Sequence, residues 1–396
     1  MRIARFLLSG LLLVVLLAAC TPKTATSVPP PTSAPTTQPS ATGSGKTATP
    51  AAPAWQKSWE NTLEGAKREG KVVVWNPGGF ETTIAMSKIG KMQGLNVEVV
   101  SGRTPEFLTR VLAERKAGLY LWDAYVGGYP SSILDEGKPG GILDSIDPAL
   151  ILPDLTDGNV IQKTWYQGQF PWLTKNHTVF RLSLQAQVPM VVNTNLVKDG
   201  ELKSYRDLLN PKWKDKLIVA DPTIAGAGQQ SLWGIYKLMG ESFVRELAAT
   251  KPLVLRDQRQ QLEWVAQGKA AIAVAPQPES LIGFLKIGAP MKVVIPQEGT
   301  WLSAGGSGVV MVKNAPNPNA VKVFINMLAS KEGQEIWAPA SYQQSLRLDV
   351  STAHLPPERV RTEGVKYVDV STEELTYERE KVMAPLAKEL FGALVR

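Results

Sequence analysis

Apolar positions along the chain alternate between short continuous runs and stripes spaced three and four apart. "KVVVW" at Lys71–Trp75 and "LNVEVV" at Leu95–Val100 have the length of buried strands. "LWDAYVGG" from Leu121, "VPMVVNTNLV" from Val188, Leu217–Ala220, "GKAAIAVAP" and "MKVVIP" extend the series. Between them lie helical patterns. Trp55–Gly70 ends on a glycine, a common helix stop. Thr104 is a good N-cap and Pro105 a good first helical residue for a helix reaching about Lys116. Phe107, Leu108, Val111 and Leu112 form its apolar side, with Glu106 and Arg110 on the wet side. A further helix starts near Gln229, and Asn317–Ala338 reads as a helix pair with Val321, Phe324, Ile325 and Leu328 on one face. Strands alternating with helices, with glycine-bearing loops at strand ends, predict an α/β sheet protein.

The N-terminus breaks this pattern. Arg2 and Arg5 precede an almost wholly apolar run from Phe6 to Ala19. Those 14 residues would span about 21 Å as a helix, against a hydrocarbon core of about 30 Å. The run is short for a membrane span and suits a signal peptide over residues 1–19. Cys20 is the only cysteine of the 396 residues, so it has no internal disulfide partner. "LAAC" at Leu17–Cys20 resembles the bacterial lipobox, in which the cysteine is acylated and becomes a membrane anchor. The alternative is a free thiol in an uncleaved helix. Residues 20–54 are the expected lipidated cysteine and linker, nearly all Thr, Pro, Ala, Ser and Gly, too polar to offset the entropy of ordering.

Charge narrows the partners. The formal net charge of +7 falls to +5 without Arg2 and Arg5, and acids and bases are interspersed. No nucleic-acid partner is expected. With no disulfide available, stability must come from burial, and the remaining length suits two lobes.

Several motifs are incomplete. "GSGKT" at Gly43–Thr47 has Ser40 where a P-loop needs its first glycine, and no flanking strand or helix pattern. "GAGQQS" at Gly226–Ser231 ends in serine where a dinucleotide fingerprint needs glycine, and reads as a polar turn at a helix start. His177 and His354 are the two histidines, without zinc-ligand spacing. No G-x-S-x-G elbow supports a hydrolase. No metal, cofactor or catalytic residue is expected, and the chain is read as a non-enzyme.

In one order, "AKREGKVVVW", "SGRTPEFLTRVLAERKAG", "VVNTNLV", "DLLNPKWKDKLIVADP", "VAQGKAAIAV", "IPQEGT" and "APNPNAVKVFINMLASKEGQEIWA" run from Ala66 to Ala338. This series resembles the family 1 extracellular solute-binding proteins of ABC importers, in the group with ferric-ion, thiamine and phosphonate binders. The resemblance implies an α/β, two-lobed type II periplasmic-binding-protein fold with a hinge and an inter-lobe cleft. It implies one lobe from residues 55–187 plus 295–340 and a second from 188–294 plus 341–396. It also implies a monomeric receptor that passes a small-molecule solute to an ABC permease, held to a bacterial membrane by its lipid anchor.

Strand-end loops and helix starts would expose N–H groups to an anion in such a cleft. The expected ligand-binding residues are Gly78, Gly79, Phe80, Arg103, Thr104, Gly127, Gly128 and Tyr129 in the first lobe. In the second lobe and its return they are Asn193, Thr223, Gly226 and Trp301. Arg103 would form a forked pair with carboxylate or phosphate; the alternative is an exposed arginine paired with a nearby acid. Arg181 is a weaker candidate of the same kind. The cargo expected from these residues is a small anionic or zwitterionic organic solute. The ferric-binding members of the resembled family carry a histidine, a glutamate and a tyrosine pair. Those positions fall near Gly79, near Gly128 and in "APQPES" here, and none of the ligand types is present. A ferric-ion receptor and a ligand sensor that transports nothing are the alternatives.

Overall fold

The computed structural model describes residues 53–224 and 226–395, so the expected signal peptide, Cys20 and nearly all of the linker lie outside the described residues. The first helix begins at Ala54, one residue inside the expected linker, and stops at Gly70, whose φ of 78° is the left-handed conformation glycine tolerates best.

Fourteen strands follow among the described residues: β1 (Lys71–Asn76), β2 (Asn96–Ser101), β3 (Ala124–Gly127), β4 (Leu143–Asp144), β5 (Phe180–Arg181), β6 (Gln185–Ala186), β7 (Met190–Asn193), β8 (Leu217–Ala220), β9 (Leu253–Leu255), β10 (Ile272–Val274), β11 (Met291–Val294), β12 (Thr300–Ser303), β13 (Gly308–Val312) and β14 (Tyr367–Asp369). They form three sheets. The first has the order β2-β1-β3-β13-β4, with β5 also paired to β13. Its β1 is parallel to β2 and β3, while β13 runs antiparallel to its neighbours. The second has the order β11-β7-β10-β8-β9, with β8 parallel to β9 and β10. A third, small sheet of β14-β12-β6 lies where the chain leaves the first sheet and where it returns.

Both faces of the second sheet are covered. Val192, Leu217, Val219, Ile272 and Val274 point into one core, and Val191, Ile218 and Ala273 into another. Strands buried on both sides read as unbroken apolar runs, which is the pattern these segments show. The first sheet has its own core, in which Trp75, Phe107 and Trp122 meet edge-on or tilted.

The C-terminal region departs from the expected division. The segment from Ser341 was expected in the second lobe. Leu346 instead lies in the first core, and its N–H bonds to Leu182 O at 2.9 Å. Ser345 bridges to Ser183. The chain joins the second core only from Val370 onward, through Met383, Leu386, Ala387 and Phe391 of the helix Glu373–Phe391. Trp301, expected with the first lobe, also packs into the second core. It lies so close to Gly234 that a Cβ there would sit 2.1 Å from the indole ring. A side chain at that position would overpack the wall, at a typical cost of about 1–3 kcal/mol.

Candidate functional site

The carboxyl ends of β3 and β10 and the start of the long helix Ala227–Ala249 converge on one cavity of about 350 Å³. The first sheet supplies Gly128 and Tyr129, and the segment after β10 supplies Gln277 and Pro278. The long helix supplies Gln230, Ser231 and Trp233, and the small third sheet supplies Gln185, Trp301 and Ser303. The C-terminal helix closes it with Thr376 and Arg379. A position outside the carboxyl ends of the strands is where open α/β sheets usually hold ligands. A second cavity of about 560 Å³ adjoins it, lined among others by Thr223, Gly226, Glu380 and Lys388. Pro130, Gln230 and Arg379 line both cavities.

Arg379 is the one cation among the described residues in the wall of the first cavity. Its side chain is only 18% exposed, and its nearest acid, Glu380, lies 3.7 Å away. Glu380 itself accepts from Ser131, through the N–H at 3.1 Å and through the hydroxyl. The Nε of Arg379 is buried and has no hydrogen-bond partner among the described residues. Burial pulls the guanidinium below its ordinary pKa, and Glu380 and Tyr129 only partly offset this. A buried guanidinium whose donors are not spent is poised to receive an anion. Arg347 shows the contrast. It is also buried, but pairs with Asp154 at 2.6 Å and with Asp349 at 2.9 Å.

The residues expected at the site divide into three groups. Gly128, Tyr129 and Trp301 line the first cavity, and Thr223 and Gly226 line the second. Tyr129 is deeply buried, its hydroxyl donates to Ser371 O at 3.3 Å, and burial pushes its pKa up to about 12. Thr223 donates through N–H and hydroxyl to Asp221 Oδ1 at 2.9 and 2.6 Å, so its polar atoms tie down the turn. Gly226, with φ of 149°, precedes the long helix in a conformation that suits glycine.

The remaining expected residues line neither cavity. Arg103 is 84% exposed and pairs with Glu106 at 2.8 Å, in a reciprocal cap of its own helix. That is the alternative anticipated for it. Phe80 is exposed, and Gly78 and Gly79 precede a helix whose start is fastened by Asn76, which accepts from Gly78 N and Thr82 Oγ1. Thr104 bonds the Tyr125 hydroxyl at 2.8 Å. Gly127 packs so tightly that a Cβ would meet Tyr125 Oη at 2.5 Å. Asn193 is buried and donates to Val265 O at 2.7 Å. Arg181 pairs with Asp369 at 2.8 Å. Phe80 aside, a local polar partner or tight packing accounts for each of these residues.

Sequence reasoning missed Arg379 and the glutamines. Arg379 lies beyond Ala338, where the motif series ends. Gln230 and Gln277 fall inside turns already singled out, "GAGQQS" and "APQPES", so their polar, proline- and glycine-framed setting was the available signal.

With this geometry in hand, similarity decides the architecture. A periplasmic binding protein from Actinobacillus pleuropneumoniae, AfuA with fructose-6-phosphate bound, superposes with a TM-score of 0.55 at 19% identity, over 82% of this chain and 99% of that one. A Trichodesmium protein, IdiA (FutA) in complex with iron and citrate, does so with a TM-score of 0.60 at 19% identity, over 82% and 99%. This chain has the fold of a type II periplasmic binding protein. Within that fold, residues 183–343 match the family model of the bacterial extracellular solute-binding protein. Two relatives are similar by sequence. A Haemophilus influenzae protein of uncharacterised function is 32% identical over 145 residues, 34% of this chain and 39% of that protein. The iron uptake protein A1 of Synechocystis is 24% identical over 278 residues, 63% of this chain and 68% of that protein. The chain thus spans about two fifths of the first of these relatives and two thirds of the second. Its cavity occupies the space between the two main sheets of the binding-protein fold.

Proposed function

We propose that this chain is the solute receptor of an ABC importer, acting outside the cytoplasm of a bacterium and held to the membrane through acylated Cys20. It captures a small anionic or zwitterionic organic solute between its lobes and delivers it to a permease. The observation that carries the ligand class is Arg379, the lone cation among the described residues of the cavity wall, with a buried Nε that none of them satisfies. The motif at Leu17–Cys20 supports the anchor, and a tether keeps such a receptor at high effective concentration near its permease.

Native mass spectrometry of gently purified protein tests the ligand directly. An organic anion released on denaturation, and lost in Arg379→Ala, is the expected result. Uptake of that solute should fall when the gene is deleted, and unchanged uptake would leave a sensor that transports nothing. Cys20→Ala should release the protein from the membrane fraction and abolish labelling by a fatty-acid analogue.

A second reading, ferric ion as cargo, draws on the names of the Synechocystis and Trichodesmium proteins. The donor chemistry of the cavity wall weighs against it. Ferric iron prefers hard anionic oxygen donors. Among the described residues the first cavity is lined by no carboxylate, and its one phenol, Tyr129, donates to Ser371 O. Bound iron with a tyrosinate charge-transfer colour would establish the ferric reading instead.

A further inference from the structure

We propose that the solute is a polyhydroxylated anion without a free amine, its carboxylate or phosphate on Arg379 and its hydroxyls among the glutamines. This rests on the receptor reading above and narrows it.

The first cavity has an unusual balance of polar groups. Among the described residues, five of its lining side chains are glutamines, and none is aspartate or glutamate. An ammonium group has three donors and no acceptor, so a buried site for it needs a carboxylate or a cage of carbonyls. Among the described residues a zwitterion would therefore find a full opposite charge for its acid and only neutral amide and hydroxyl oxygens for its amine. A hydroxyl needs one donor and one acceptor close together, which a primary amide supplies in a single side chain.

The amides are free to do this. Neither Gln230 nor Gln277 makes a side-chain hydrogen bond to the described residues, and both line the cavity. Gln185 gives its Oε1 to Arg359, and Gln343 gives its Oε1 to the Ser183 hydroxyl. Each is thereby oriented with its Nε2 donors unspent. These two Nε2 atoms converge: a Cβ built on Gly305 would lie 2.5 Å from that of Gln343 and 3.0 Å from that of Gln185. Gly305 lines the cavity too, so its missing side chain keeps open the space in front of two adjacent amide donors. Such a pair suits a single oxygen acceptor.

Acceptors stand nearby. Ser231 Oγ donates to Ala275 O at 3.0 Å, and Thr376 Oγ1 donates to Thr372 O at 2.9 Å. With their hydrogens committed to the backbone, both oxygens present lone pairs to solute hydroxyls. Trp233 and Trp301 supply apolar wall for the C–H surface of a carbon chain or ring.

The test is calorimetric titration of the full-length protein with six probes: gluconate, glucose-6-phosphate, glucose, succinate, inorganic phosphate and glutamate. Gluconate or glucose-6-phosphate should bind at least 100-fold more tightly than the other four, and whichever of the two wins distinguishes carboxylate from phosphate. Gln230→Leu and Gln277→Leu should each weaken that binding about tenfold, as loss of a solute hydrogen bond does, and leave the weak binding of inorganic phosphate unaltered. Succinate or glutamate binding as tightly as the hydroxylated probes would overturn the inference while the receptor reading stands, as would full affinity in both glutamine variants. If no anion binds, or Arg379→Ala binds like the parent, the receptor's anion site fails and this inference with it.

Discussion

Two arginines sit in similar sequence settings and have opposite fates. Arg103 and Arg379 each lie within three residues of a glutamate, at the edge of a helix or inside one. Arg103 follows a strand and precedes a helix start, the place where α/β proteins often hold anions. There its own helix cap consumes it: Glu106 accepts from both the backbone N–H and the side-chain Nε of Arg103, at 2.9 and 2.8 Å. Arg379 lies inside the charged helix Glu373–Phe391. Its neighbouring acid is drawn away to Ser131, and its guanidinium is left in the wall of the cavity. An arginine's availability depends on where the competing carboxylate goes, and that is settled by tertiary contacts.

The helix Glu373–Phe391 brings this about by having three working faces. Glu374, Tyr377 and Glu380 meet the first lobe: Lys175 Nζ lies 3.0 Å from Glu374, and the Tyr377 hydroxyl bonds Asp135 at 2.9 Å. Thr376 and Arg379 face the cavity. Met383, Leu386, Ala387 and Phe391 enter the second core. Spacings of three and four keep each face in line along the helix. In the proposed receptor, a helix that touches both lobes and the cavity would couple solute capture to the relative position of the lobes, the motion by which hinge proteins close.

The comparison can be broken by experiment, and the largest effect is expected at Arg379. Arg379→Ala should weaken binding of the natural solute at least 100-fold, because a charge-assisted bond in a desolvated site is worth about 3 kcal/mol. Isothermal titration checks this, and a change under threefold would return Arg379 to the class of bystanders. Next in size, Glu380→Gln removes the one acid near Arg379 while keeping acceptors for Ser131. Anion affinity should rise about two- to fivefold at low salt, and the gain should shrink as salt screens it. Arg103→Ala is expected to change affinity by less than twofold and to leave the melting temperature unaltered, since an exposed i,i+3 pair contributes little.

The smallest effect is a titration. The Arg103 side chain, and then its backbone N–H, hold the Glu106 carboxyl below its ordinary pKa. A carboxylate depressed in the folded state stabilises above the ordinary carboxylate range and loses that contribution as pH falls through its folded pKa. Arg103→Ala should move the Glu106 pKa up part of the way, because the backbone donor remains. Carboxyl carbon shifts followed by NMR would show it, and no movement would mean that the pair does not persist in solution.

Much of the fold was legible in the chain. Apolar runs such as "KVVVW" and "AAIAV" became strands buried on one or both faces, and Gly70 ended the first helix where a left-handed residue was needed. Those features depend on neighbours within a few residues, so sequence spacing carries them. Parts of the site were legible for the same reason: Gly128 and Tyr129 follow a strand, and Thr223 and Gly226 precede a helix. What spacing does not carry is the partner of a polar group. Asn193, Thr104 and Arg103 looked like free donors, and local or cross-chain bonds had claimed them.

The sequence by itself determined the alternation of strands and helices, the polar composition after residue 20 and the motif at Leu17–Cys20 on which the proposed acylation rests, because each follows from composition or short-range pattern. Only the tertiary structure decided which polar groups are left over to face a solute. Arg379, Gln185 and Gln343 come from segments far apart in the chain. Their donors stay unspent where the fold engages the groups beside them: Ser131 engages Glu380, and Arg359 and the Ser183 hydroxyl engage the Oε1 atoms of Gln185 and Gln343.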